Sequence, residues 1–197
     1  MNPPSPSGVP LCRQGGAACP QAAAGAVGTS RPASITVRNL RRRWPVDTRL
    51  LRSIGEAAIE ALGFAQDAPT TRPAAPVAVF LVGARRMSFL NQRFLGHAGP
   101  TDVITFDYAE PLPVPHLLHG DIFICLEEAR RQARTFGTTW QAEVVRYLVH
   151  GLLHLCGHDD LEAGARRRMK RVEDRMVRRL TAGFDFKRLG KGANVPA

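Results

Sequence analysis

The stretch His150-Gly151-Leu152-Leu153-His154-Leu155-Cys156-Gly157-His158-Asp159-Asp160 decides how this chain is read. It continues a segment opening at Thr138 in which Val144, Val145, Leu148, Leu152 and Leu155 recur at three- and four-residue intervals, the period of a helix with one apolar face. Thr138, followed three residues later by Gln141, has the form of a capping box and predicts the helix start. Residues four apart on a helix stand one turn above the other, so His150 and His154 can present two imidazole nitrogens to a single point. Gly157 has no Cβ and can take the left-handed conformation that ends a helix, after which His158, Asp159 and Asp160 turn back towards the histidine face. A third ligand from that return would complete a three-ligand site with an open position for water, the arrangement of catalytic rather than structural zinc.

Two strings upstream accompany this motif: Leu90-Asn91 followed by Gly99-Pro100-Thr101-Asp102-Val103-Ile104-Thr105-Phe106, and His119-Gly120-Asp121-Ile122-Phe123-Ile124. Together they resemble the YbeY family of bacterial endoribonucleases and rRNA maturation factors, whose signature is His-Gly-x-Leu-His-Leu-x-Gly-x-Asp-His. The resemblance runs in order from about Ile35 to Leu180. It implies a zincin-like fold of about four strands covered by helices. It also implies a zinc-dependent, single-strand-specific endoribonuclease acting in small-subunit rRNA 3′-end maturation and ribosome quality control, with rRNA and the ribosome or its small-subunit proteins as partners in the cytoplasm.

Two positions depart from the family pattern. The family's third histidine is Asp160 here, so the resemblance implies catalytic and metal-binding roles for His150, His154 and Asp160, two histidines and one carboxylate. A carboxylate is an acceptable zinc ligand, but it lowers the charge of the site and should leave bound water less acidic. His158 is the rival third ligand; it lies closer to the glycine turn and would point sideways, which favours Asp160. The family's groove arginine falls at Leu95, with Arg93 nearby as the candidate replacement.

The 197 residues suffice for one domain with its own core, and no apolar run approaches membrane-spanning length, which predicts a soluble protein. A formal net charge of +10 favours polyanionic partners, nucleic acid foremost, although arginine-rich chains also drift basic without binding anything. Cys12, Cys19, Cys125 and Cys156 are too scattered for a disulfide framework and fit a reduced, cytosolic protein. Cys156, next but one to His154, is expected to be apolar filler off the histidine face.

Residues 1–33 are rich in Pro, Gly, Ala and Ser without apolar periodicity and read as a disordered extension, 34–183 as a single hydrolase domain, and 184–197 as a tail. Within the domain, strands are expected at Ile35–Leu40, Val77–Val82, Thr101–Tyr108 and Asp121–Leu126. Helices are expected from Asp47 to Leu62 with Gly63 as the stop, over Ala84–Phe94, over Glu127–Phe136, and over Ala163–Leu180, with a proline-rich loop at Pro111–Pro115. Val77–Val82, nearly all apolar, reads as a central strand buried on both faces. The last helix should bury Met169, Val172, Met176 and Leu180 and expose Arg166, Arg167, Lys170, Arg171, Arg178 and Arg179. Strands separated by helices give a mixed α/β (α+β) layer fold. His97, His116 and His119 are expected in turns, His119 closest to the groove.

A metal with three protein ligands serves phosphodiester and peptide hydrolysis alike. Zinc peptidases of the His-Glu-x-x-His kind place a general-base glutamate after the first histidine, where this chain has Gly151, and that glycine is expected to leave room for a bulky polynucleotide backbone. The chain has no Gly-rich loop ending in Lys-Ser or Lys-Thr to cradle a nucleotide. Metal-dependent RNA cleavage is the leading reading. A zinc hydrolase of peptides or small molecules is the second, and a ribosome assembly factor with a structural metal the third.

Overall fold

The computed structural model describes residues 12–13, 34–62, 76–108 and 118–190. Its centre is β3 (Val77–Val82), hydrogen-bonded in parallel to β2 (Ile35–Asn39) on one side and to β5 (Gly120–Cys125) on the other. β4 (Val103–Asp107) runs antiparallel to β5, with Val103 opposite Ile124 and Asp107 opposite Gly120. A two-residue strand, β1 (Cys12–Arg13), pairs in parallel with Phe106 and Asp107 and gives the order β1-β4-β5-β3-β2. This pairing lies within the stretch expected to be disordered and was not signalled by any apolar pattern. The mixed sheet of four main strands agrees with the sequence reading.

Alternation along the strands sends side chains to two cores. Val77, Val79, Leu81, Val103, Ile122 and Ile124 join the larger one, beneath α1 (Thr48–Ala61), α4 (Trp140–Leu155) and α5 (Ala163–Gly183). Val82, Ile104, Phe106 and Cys125 face the other way and meet Met87 and Leu90 of α2 (Ala84–Leu90). β3 is central as expected, yet Phe80 on this second face is only half-buried, and its ring stacks on Phe123 with centroids 4.8 Å apart. Each aliphatic side chain taken fully from water contributes about 1.5–3 kcal/mol, so the larger core dominates the stability.

α1 begins where Asp47 accepts hydrogen bonds from the Arg49 and Leu50 amides, and it buries Leu51, Ile54 and Ala58. Gly63, Pro111–Pro115 and His116 lie outside the described residues. The segment expected as one helix to Phe94 instead changes to a π-helical turn at Asn91–Leu95. The wider turn buries Asn91, whose amide donates to the Gly99 carbonyl at 2.9 Å, and leaves Phe94 at the surface, edge-on to Phe106. That hydrogen bond ties down the loop leading to Asp102 and β4. α3 (Leu126–Phe136) then leads to α4, and a closing 3₁₀ turn, Phe186–Gly190, buries Phe186 and Leu189 in the larger core. The packed body therefore continues past 183, the boundary expected for the tail. Among the described residues no helix is long and apolar enough to cross a membrane.

Candidate metal centre

α4 is capped one residue later than its sequence suggests. Thr139 is the cap, its hydroxyl accepting from the Ala142 amide at 3.2 Å, while Thr138 donates its hydroxyl to the buried carboxylate of Glu143. A glutamate on the inner side of the first turn draws Thr138 away from the cap. The helix ends as expected: Gly157 has φ +82°, its amide donates to the His154 carbonyl at 2.9 Å, and the His158 amide donates to the Leu153 carbonyl at 3.0 Å. These paired bonds form a Schellman turn, which satisfies two terminal carbonyls and reverses the chain. Asp160 is thereby carried back over the helix and buried, 3% exposed. Arg166 of α5 fastens the return, its Nε donating to the Asp160 carbonyl and its Nη2 to the Leu161 carbonyl.

The three expected ligands meet. His150 Nε2 and His154 Nε2 are 3.1 Å apart, and the Asp160 carboxylate oxygens lie 3.8 Å from the first and 3.9 Å from the second. One donor atom from each of the three falls within 4.8 Å of the others. His158 is outside this group. It contributes its main-chain carbonyl, which accepts from His154 Nδ1 at 3.0 Å, while its half-buried ring stays out of the cluster.

The hydrogen bonds on the far side of each ring orient it. A carbonyl can only accept, so His154 carries its proton on Nδ1. Burial, with the neighbouring His150, lowers its pKa to about 4, which keeps the ring neutral and leaves a lone pair on Nε2. His150 Nδ1 faces Glu173 Oε2 at 3.0 Å. Burial would raise the Glu173 carboxyl, but the hydrogen bond and charge of His150, with Lys170 and Arg146, outweigh that and bring it down to about 2. Glu173 is thus a carboxylate that accepts from His150 Nδ1, which leaves Nε2 as the ring nitrogen turned towards His154 and Asp160. Two imidazole nitrogens 3.1 Å apart beside a buried carboxylate can share either one proton or one metal cation. Two nitrogens each bonded to a tetrahedral zinc would stand about 3.3 Å apart, so the donor set fits zinc with little movement.

A shallow cavity opens on the site, lined by His150, Asp160, Arg166, Met169, Lys170 and Glu173. Its cations come from α5. Arg93, the expected groove replacement, is exposed on the π-helical turn, and Leu95 packs against the second core. Gly151 does not provide the space expected of it: a Cβ there would lie 2.7 Å from Ile122 Cγ2, so this face of α4 presses on the sheet and not on the cavity. Cys156 behaves as filler, packing on the core with its thiol pushed up to about 12 by burial. His119 is half-buried with its ring edge-on to Tyr108, and His97 is exposed; neither joins the cluster.

Glu173 is the buried residue in contact with the cluster that the sequence reading does not single out. It sits four residues after Met169 and three before Met176, on the stripe α5 buries, and it is 1% exposed. A lone carboxylate on an otherwise apolar helix stripe was the available signal. Asp102 is likewise buried, with Oδ1 accepting from the Thr101 hydroxyl and the Val103 amide, and burial raises its pKa against the pull of the nearby His150.

The protein-family model described as Endoribonuclease YbeY matches residues 39–181. The chain belongs to the YbeY family. Among its relatives, the endoribonuclease YbeY of Chlorobium phaeovibrioides is 41% identical over 101 residues, which cover 51% of this chain and 66% of the relative. That of Anaeromyxobacter sp. is 40% identical over 130 residues, 66% of this chain and 63% of the relative, so both matches span a little under two thirds of the relatives' length. The YbeY of Chlorobium luteolum is 33% identical over 146 residues, 74% of this chain and 97% of the relative. A solution structure of a Thermotoga maritima protein shares the fold, with a TM-score of 0.54 at 24% identity, covering 83% of this chain and 99% of that one.

Proposed function

We propose that this chain is a zinc-dependent, single-strand-specific endoribonuclease that matures ribosomal RNA, with His150, His154 and Asp160 as its metal ligands. The observation that carries the reading is the convergence of two imidazole nitrogens and a carboxylate on one buried point beside a cavity, in a chain of the YbeY family. A divalent cation held there supplies Lewis acidity towards a phosphoryl oxygen and lowers the pKa of water.

The chain's own residues do the rest. His150 and His154 donate from Nε2, each ring held by the bond at its Nδ1. Asp160 contributes negative charge, which leaves the centre less electrophilic than three histidines would. Arg166 and Lys170 set positive charge at the cavity mouth, where a phosphodiester backbone would approach. Further cations on the outer side of α5, among them Arg167, Arg171, Arg178 and Arg179, are exposed and suit the same polyanion. rRNA within the ribosome or its small subunit, in the bacterial cytoplasm, is the substrate setting this reading implies, and quality control of defective ribosomes belongs to the same proposal.

The test is cleavage of matched single-stranded and duplex RNAs, with a peptide panel alongside, by zinc-loaded and chelated protein. Cutting of single strands only by the loaded form supports the reading. Peptide hydrolysis without RNA cleavage, or equal RNA cleavage after complete metal removal, overturns it.

A further inference from the structure

We infer that Glu173 is a positioning residue for the cation site: its carboxylate, clamped by Arg146 and Lys170, fixes His150 as the Nδ1-protonated tautomer and aims Nε2 at the point shared with His154 and Asp160. The inference rests on the proposed metal-binding role of that trio.

A carboxylate buried on the core stripe of a helix is costly, several kcal/mol for the ion alone, and it persists only when every oxygen is engaged. The two oxygens of Glu173 divide the work. Oε1 takes both cations, Arg146 Nη1 from α4 and Lys170 Nζ at 2.9 Å from α5. Oε2 is left for His150 Nδ1 at 3.0 Å. Joining α4 to α5 does not by itself require Glu173, because Asp174 Oδ1 accepts from the same Arg146 at 2.7 Å and pairs with the same Lys170 at 3.1 Å, closer to solvent. What Asp174 lacks is a bond to the histidine. The two imidazoles are therefore held unequally, His154 by a neutral carbonyl and His150 by a charged carboxylate. A charged acceptor makes the opposite ring nitrogen the stronger donor, and partners of this kind typically govern metal affinity by 10–100-fold.

The experiment uses the full chain, stripped of metal and titrated with zinc against a chromophoric chelator. Glu173→Gln keeps an acceptor without the charge, Glu173→Leu removes both, and Asp174→Asn loosens the clamp without touching His150. Zinc affinity should fall about 10–100-fold in the two Glu173 variants, more in Leu than in Gln, and stay within about 2-fold of the parent in Asp174→Asn. Glu173→Gln carries the comparison if the leucine variant does not fold. Unchanged affinity in a folded Glu173 variant, or an equal loss in Asp174→Asn, overturns the inference. A second readout needs no metal: histidine ¹⁵N shifts of the stripped parent should show His150 protonated at Nδ1, and the Nε2-protonated form there would also overturn it. A parent that takes up no zinc would refute the metal reading above, while the ¹⁵N result would still decide the role of Glu173.

Discussion

His154 Nδ1 donates to the main-chain carbonyl of His158, 3.0 Å away, so the histidine that follows the glycine turn serves His154 through its backbone and not its ring. The Schellman turn at Gly157 sets that carbonyl, and two residues later it delivers Asp160 to the histidine pair. The choice between Asp160 and His158 as third ligand, open in the sequence, has a direct test. His158→Ala keeps the carbonyl and should leave zinc affinity within about 3-fold of the parent, whereas Asp160→Asn removes the site's one anionic donor and should weaken binding at least about 10-fold. Calorimetric titration of both variants decides it; a reversed order would make the imidazole of His158 the ligand.

The metal-free protein should be acid-labile. His154 has its folded pKa lowered to about 4 from an ordinary value near 6.5, so the unfolded chain binds the extra proton first as pH falls. The stability due to the neutral buried ring is complete above about pH 6.5 and is lost as pH drops towards 4. Glu173, brought down to about 2, acts in the same direction further down: its contribution is present above its ordinary value of 4.5 and is lost as pH falls through 2. Urea unfolding of stripped protein at several pH values should show stability declining steadily below about 6.5. A stability flat between pH 7 and 4 would mean that His154 is not held neutral.

Gly151 separates packing from catalysis. Any side chain there meets Ile122 of β5, so Gly151→Val should overpack the helix–sheet contact and destabilise the protein by about 1–3 kcal/mol. Because the residue faces the sheet, zinc affinity measured on the folded fraction should change little. A variant of normal stability that cuts RNA poorly would instead place Gly151 at the substrate groove.

The features legible in the sequence are those fixed by short-range geometry. The apolar period of α4, the four-residue spacing of His150 and His154 and the stop at Gly157 all lie within one helix and its turn, where a helical repeat converts position directly into direction. Strand positions followed for the same reason, since Val77–Val82 can bury its side chains only as a central strand. Glu173 was legible only in part: its place on the Met169–Met176 stripe signals burial, but its partner is 23 residues away on another helix and nothing local names it. The same limit applies to Gly151, whose role depends on how closely α4 approaches Ile122, and to the π-helical turn, which answers to the Asn91–Gly99 bond. The one local error was the cap: Thr138 and Thr139 are both competent, and the burial of Glu143 decided between them.

That cap makes a compact prediction about stability. Thr139→Ala leaves the Ala142 amide without its acceptor at the start of the helix that carries both histidines, and should cost about 1 kcal/mol. The loss falls a full three turns from His150, so chemical denaturation should register it while zinc affinity does not. Equal affinity with a lowered denaturation midpoint is the expected pair of results; a loss of affinity would mean that fraying at Thr139 reaches the metal centre.

Removing one ligand ties the centre to the reaction. His154→Ala deletes a neutral donor from a buried point where only His150 and Asp160 remain, and the fold should survive at a cost of a few kcal/mol. Zinc content and RNA cleavage should fall together, the rate by at least about 100-fold, with the circular dichroism spectrum unchanged. Binding of an uncleaved single-stranded RNA should persist, since exposed arginines on α5 and Arg166 at the cavity mouth still face the polyanion. That binding should weaken steeply with added salt, as counterion release from a phosphate backbone requires. A His154→Ala protein that folds, lacks zinc and cuts RNA at the parent rate would remove the centre from the mechanism and leave the cation a structural part.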